Sequence, residues 1–187
     1  MARQSPPQPG LKSVTWSRRQ LLMLSAAAVA TGLPIMTARA ENDGVPAPAG
    51  MNIAGEAEVV RVRDGDTVTL STGQEIRLVG LQAPKIHQPF GQFPAWPHSQ
   101  EAREALVFKI LNRNVRFAYS GMQMDRHGRG LAHLIDTEGT WIQGWMLAQG
   151  HARVYSFADN RGFVPQMLAL EAQARAAQRG MWALDTY

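Results

Sequence analysis

Several residues near the turn signals of this sequence have the chemistry to meet a phosphate or a metal ion. Asp64 and Asp66 flank Gly65, Arg77 follows on the next apolar run, Gln82, Ala83 and Lys85 come just after it, and Asp125-Arg126-His127-Gly128-Arg129 concentrates charge further on. Arginine presents planar, paired donors that match phosphate oxygens, and two of them can stabilise a pentacovalent transition state. Calcium takes several oxygen ligands, carboxylates best. Gln82 could lend a neutral amide oxygen, whereas Lys85 offers no ligand and cannot accept a proton while charged. A plainer reading stands beside this one. The two aspartates also suit a hairpin turn, and Arg77 and Arg129 could be surface strand residues paired to Glu75 or Asp125. His87 and His127 could act as bases, although a lone loop histidine is more often simply solvated. His98 and His133 have no metal-ligand spacing with another histidine. The chain has no cysteine, which excludes thiolate zinc sites and thiol chemistry.

Short β-type runs must position these residues. Glu58–Arg63 and Thr67–Leu70 are rich in β-branched residues and flank Asp64-Gly65, a hairpin dipeptide; a third run, 75–81, follows the Ser71-Thr72-Gly73 turn. Residues 82–97 hold four prolines and read as a long loop, of the kind that is usually functional or mobile. A helix is predicted over 99–111 with Ala102, Leu106 and Ile110 on one face, and strands over 115–119 and 130–135. Thr140 with Gln143 has the capping-box form, so a second helix is expected from there to Gly150. A third carries Pro165 in its first turn, places Met167, Leu170, Ala174 and Ala177 on one face, and stops at Gly180. Trp141, Trp145 and Trp182 read as packing residues. This order suits a small closed barrel with helices beside it.

The first forty residues differ in kind. Ser17-Arg18-Arg19-Gln20-Leu21-Leu22 runs into a 16-residue apolar stretch, broken by Gly32 and Pro34 and ending in Ala38-Arg39-Ala40. That stretch is short for a membrane anchor, and its ending has the small-x-small form of a cleavage site. A twin-arginine export signal is expected over 1–40, a flexible linker over 41–55, and a periplasmic or secreted destination. Residues 1–40 hold five of the 19 Lys and Arg and none of the 15 Asp and Glu, so the remainder has a formal charge of −1. The high pI of the whole chain is therefore no argument for a nucleic-acid partner, and any phosphate affinity must be local.

Three ordered segments resemble the staphylococcal-nuclease-like family: Asp64-Gly65-Asp66-Thr67, Ile76-Arg77-Leu78 through Ala83-Pro84, and Asp125 through Arg129. Gly150–Val154, the 171–175 helix and Gly180-Met181-Trp182 agree, so the resemblance covers about 56–184. It implies an α+β, mainly β, fold: a five-stranded OB-fold barrel with about three helices packed beside it. It also implies calcium-dependent cleavage of the phosphodiester backbone of DNA or RNA. Carried over by position, Asp66 is the first metal carboxylate, Ala83 supplies a metal-binding carbonyl, and Arg77 and Arg129 clamp the phosphate. Tyr155 and Phe157 fall where the family places aromatics near the nucleotide. Gln82 stands where the family has a second metal aspartate, and Lys85 where it has the general-base glutamate.

These departures take the constellation from a charge of −1 to +2, with Asp66 set against Arg77, Arg129 and Lys85. Such a swing disfavours calcium and favours a bare phosphate. Two functions are therefore expected. One is an exported nuclease that tolerates the changes. The other is an OB-fold module holding phosphate-containing ligands or a protein partner without cutting. DNA, RNA or nucleotide phosphates are the expected ligands, and a monomer without stable membrane insertion the expected state.

Overall fold

The structure, a computed structural model, describes residues 44–86 and 94–187. The expected export signal and His87 lie outside the described residues. In chain order the elements are β1 (Ile53–Asp64), β2 (Thr67–Leu70), β3 (Glu75–Leu78), β4 (Leu81–Gln82), α1 (Ser99–Ile110), β5 (Asn114–Ala118), β6 (Gly130–Asp136), α2 (Ile142–Ala148), β7 (Arg153–Val154), α3 (Val164–Ala176) and a 3-10 turn, Gly180–Ala183.

Five strands close into a barrel in the order β1-β2-β3-β6-β5. Closure depends on β1, whose first half pairs with β5 and whose second half pairs with β2, all antiparallel. A bulge between Val59 and Arg61 lets one strand serve both neighbours, because an extra residue bends and twists its strand. The last join, β3 with β6, is parallel. Alternate residues fill the interior: Val59, Val68, Leu70, Ile76, Leu78, Val115, Ala132 and Leu134 are all essentially inaccessible to solvent. Ala102, Leu106 and Ile110 of α1, with Ile142, Met146 and Leu147 of α2, join the same core. Trp141 is buried within it and Trp145 packs against it. This is the five-stranded barrel with three helices that the sequence implies. Among the described residues, no helix is long and apolar enough to cross a membrane.

Four expectations need correction. The third run does not stay in the barrel to residue 81. It breaks at Gly80, and β4 leaves to pair with β7. Gly80 has φ +85°, a conformation that side chains rarely adopt, so the break needs glycine there, and the end of the Met167 side chain from α3 packs beside it. Thr140 does not cap α2. Trp141 occupies that position, and Gln143 is buried, donating to the Ala132 carbonyl at 2.8 Å and accepting from the Leu134 amide at 3.0 Å. The residue that spacing assigned to a cap thus ties the helix to β6. On α3, Ala177 lies past the helix end and is exposed, while Glu171 is buried and accepts the Val154 amide. The segment expected as linker is attached from Val45 onward: the Val45 carbonyl accepts from Trp141 at 2.7 Å, and β1 begins at Ile53.

Candidate phosphate site

The site grows from the turn between β1 and β2. Asp64 closes β1 opposite Thr67, so the turn residues are Gly65 and Asp66 rather than Asp64 and Gly65. An Asp64 carboxylate oxygen accepts the Asp66 amide at 3.1 Å, which fixes the turn from its own side chain. A Cβ on Gly65 would come within 2.6 Å of Ala83 and 3.0 Å of Ala102, so only glycine lets the hairpin tip sit against the loop and α1. The carboxylate of Asp66 is thereby driven inward, and the residue is fully buried.

A buried carboxylate needs partners, and this one has many. Its Oδ1 accepts from the Thr67 hydroxyl at 3.0 Å and its Oδ2 from the Ala83 amide at 3.0 Å. Arg77, beside Thr67 in the β2–β3 register, forms an ion pair with Oδ1 and donates to the Leu81 carbonyl at 3.1 Å. The Lys85 ammonium reaches both oxygens, at 2.8 and 2.7 Å, and stands 3.8 Å from Asp64. Lys85 is held in turn by its carbonyl, which accepts the Trp96 amide at 2.8 Å across the base of the loop. Burial alone would raise the pKa of Asp66. The Arg77 charge, then that of Lys85 and the hydrogen bonds overcome burial and hold the carboxyl well below the usual range. Asp64 moves the other way, raised by burial and by the neighbouring Asp66 charge, with Lys85 opposing.

This geometry does not fit calcium. Where a metal would need oxygens, an ammonium already contacts both oxygens of Asp66. Gln82, expected to lend an amide oxygen to a metal, gives that oxygen to Arg153 across β4 and β7, at 2.7 and 3.2 Å. Ala83 serves Asp66 with its N–H. Among the described residues, no group of three or more His, Asp or Glu side chains is placed to hold a metal ion. The charge count changes as well. Asp64 stands by Lys85, and Asp125 pairs with Arg129 at 2.6 Å, so the constellation expected at +2 is close to neutral.

Arg129 comes from a separate tight turn. One oxygen of Asp125 accepts the amides of His127 and Arg129, at 2.8 and 3.1 Å, and the other accepts the Arg129 guanidinium at 2.6–2.8 Å. Burial opposes the charge on Asp125, but the Arg129 amide and guanidinium and the His127 amide hold it below the usual range. The turn forms one wall of a cavity of about 530 Å³ lined by Arg77, Arg126, Arg129, Asp125 and Phe157 among others. Tyr155 lines a smaller hollow that shares Arg77 and Phe157, and the two aromatic rings meet edge to face at 5.2 Å. Both are exposed, Tyr155 by 43% and Phe157 by 64%. The fold therefore brings Arg77, Arg129 and Phe157 to one cavity with Tyr155 beside it. Lys85 is not among the residues lining that cavity, since it is engaged with Asp66. Sequence reasoning missed Arg153 and Asn160. Arg153 shows only through the β4–β7 pairing, and Asn160, buried at the wall of both hollows, carries no local signal.

Comparison with known proteins agrees with the barrel. Residues 75–184 match the family described as staphylococcal nuclease homologue, a span that begins after the Asp66 turn. The thermonuclease of Staphylococcus hyicus is 26% identical over 173 residues, covering 87% of this chain and 95% of that protein. Protein ParB of Escherichia coli is 32% identical over 177 residues, 89% of this chain and 87% of ParB. The micrococcal nuclease of Shigella flexneri is 28% identical over 150 residues, 74% and 79% of the two chains.

Proposed function

This chain belongs to the staphylococcal nuclease homologue family, and on that premise we propose that it binds nucleotide phosphates of DNA or RNA without calcium-dependent cleavage. The observation that carries this reading is Lys85, whose ammonium contacts both oxygens of the buried Asp66. A cation fixed to the protein stands where a diffusible one would need carboxylate oxygens. Lys85 also has no acceptor while charged, so it cannot take the proton of an attacking water.

Binding rests on different residues. Arg129 offers a guanidinium at the cavity, held by a carboxylate at the protein surface that a phosphate oxygen can replace with matching geometry. Arg77 adds charge to the same cavity while remaining anchored to Asp66 and Leu81. Exposed Tyr155 and Phe157 provide faces for a base, a sequence-tolerant interaction. Hydrolysis is the second reading, favoured because two of the relatives are a thermonuclease and a micrococcal nuclease.

The two readings separate in one experiment. A nucleoside 3′,5′-bisphosphate is expected to raise the Tm of the protein by the same amount in calcium and in chelator, and Arg129→Ala to abolish the shift. Absence of any shift at millimolar ligand would overturn the binding reading. Degradation of single-stranded DNA that requires calcium and is lost in Arg129→Ala would establish the second.

A further inference from the structure

We propose that an arginine-lined groove continues from the Arg129 cavity along the outer face of β1 and carries the backbone of a single-stranded nucleic acid beyond the nucleotide held at Arg77. This deepens the phosphate-binding reading and rests on it. Three hollows lie wall to wall. The Arg77–Arg129 cavity shares Arg129 and His127 with a hollow of about 360 Å³ that is also lined by Arg63 and Glu75. That hollow shares Arg63 with a groove of about 520 Å³ between β1 and α1, where Arg61 and Arg103 join it. Together six arginines face three carboxylates along this path. Residues 41–187 as a whole hold slightly more acid than base, so the positive charge is concentrated here.

The β1 bulge is what builds the groove. Before it, Ala57 and Val59 point into the barrel; after it, Val62 and Asp64 do. The extra residue reverses the inward phase, and Arg61 and Arg63, which unbroken alternation would bury, lie exposed on the outer face. Two positions along a strand separate them by roughly 6.6 Å, close to the phosphate repeat of an extended nucleic-acid strand. Arg103 donates to the Val62 carbonyl at 3.3 Å, which sets it on the facing wall. None of the described ion pairs includes Arg61 or Arg103.

Charge complementarity selects a polyanion, and the aromatic end of the path selects a single strand. Tyr155 and Phe157 are exposed where the path begins, and they can stack only on bases that a duplex would keep paired.

Binding of oligothymidylates of increasing length, measured by fluorescence anisotropy on the full chain over a range of salt, tests the groove. Affinity is expected to rise with length beyond the first nucleotides. Arg61→Gln combined with Arg103→Gln should weaken the long strand by about tenfold or more and reduce the salt slope by about 1.4, at roughly 0.7 per lost phosphate contact. Nucleoside bisphosphate affinity should stay unchanged. Arg61→Glu alone, at an exposed position, serves as the second variant should loss of Arg103 disturb α1, and it should weaken the long strand in the same selective way. Equal affinity for short and long strands, or long-strand binding indifferent to these variants, overturns the groove. Variants that lose binding to vesicles of anionic lipid while keeping the oligonucleotide also overturn it, and reassign the arginines to a membrane surface. Failure of the bisphosphate alone, with the long strand still lost in the variants, would instead overturn the Arg77–Arg129 site and leave the groove standing.

Discussion

Two buried aspartates, Asp136 at the end of β6 and Asp66 in the turn between β1 and β2, solve the same problem differently. Asp136 pairs with Lys109 at 2.9 Å and accepts the amides of Thr140 and Glu138 at 2.8 and 3.0 Å. Asp66 holds one amide, one hydroxyl and two cations. In both, burial works against the charge and the partners prevail, so each carboxyl lies below its ordinary pKa. One cation with backbone donors is therefore enough to keep an aspartate ionised in this protein. Asp66 is the more deeply buried of the two and has one backbone amide where Asp136 has two, and Lys85 adds a second cation to Arg77. In doing so Lys85 also occupies the oxygens of Asp66 that a diffusible cation would use.

The contrast can be broken most directly by removing each lysine. Lys109→Ala takes the one cation from Asp136 among its described partners and should cost about 3 kcal/mol or more, as expected when one member of a buried pair is lost. Lys85→Ala removes two charged hydrogen bonds from a carboxylate that stays buried but keeps Arg77, and should cost less, about 2 kcal/mol. Urea denaturation of the two variants measures both. Equal losses would mean that Lys85 is as structural as Lys109.

Acid titration sharpens the comparison by separating both aspartates from a histidine of β6. Asp66 and Asp136 have folded pKa values below their unfolded ones, so their stabilisation is present above pH of about 4 and is lost only as pH falls further. His133 acts in a higher window. Its ring accepts the Trp141 indole N–H at Nδ1, 3.3 Å, leaving Nε2 to donate to the Ser120 hydroxyl, 2.9 Å. Burial pushes its pKa down to about 4, and a second proton would face the indole N–H. The unfolded chain then binds more protons than the folded one between about pH 6.5 and 4, so stability falls across that window as pH is lowered. The shift corresponds to about 3 kcal/mol. His151, also lowered to about 4 by burial and then by His98, adds to the same slope. His133→Gln should flatten the slope of unfolding free energy between pH 6.5 and 4; an unchanged slope would show that this histidine is not held neutral.

The effect most informative about function is a gain. Gln82→Asp with Lys85→Glu removes the ammonium from Asp66 and adds two carboxylates nearby. Calcium at a hundred times its Kd should then stabilise the variant by about 2.7 kcal/mol, read as a rise in Tm, with no such rise in the wild type. Lys85→Glu is expected to carry most of this, because a carboxylate at position 82 would still face Arg153. A wild-type protein already stabilised by calcium would erase the distinction drawn between the two aspartates.

Much of the fold was legible because its signals are local. The β-branched and apolar runs of β1, β2, β5 and β6, the turn at Gly65, Pro165 at the head of α3 and the apolar face of α1 all act within a few residues, where backbone preference and burial agree. The ordered resemblance of three segments also singled out Arg77 and Arg129, which line one cavity in the folded chain. Where local signals misled, a distant partner had claimed the residue: Gln143 left its cap for β6, and Glu171 entered the core side of α3 to receive a β7 amide.

Composition and pattern by themselves thus determined a small, cysteine-free barrel in which any phosphate affinity had to be local. Tertiary structure decided the partners. Only the packed chain shows Gln82 turned to Arg153, Lys85 closed onto Asp66, Asp64 and Asp125 cancelling the expected excess charge, and a bulge turning Arg61 and Arg63 outward. The reason is physical. A charged side chain takes whichever counter-charge the fold brings within reach, and desolvation makes that choice binding. Spacing along the chain carries no record of which residue, many positions away, will be there.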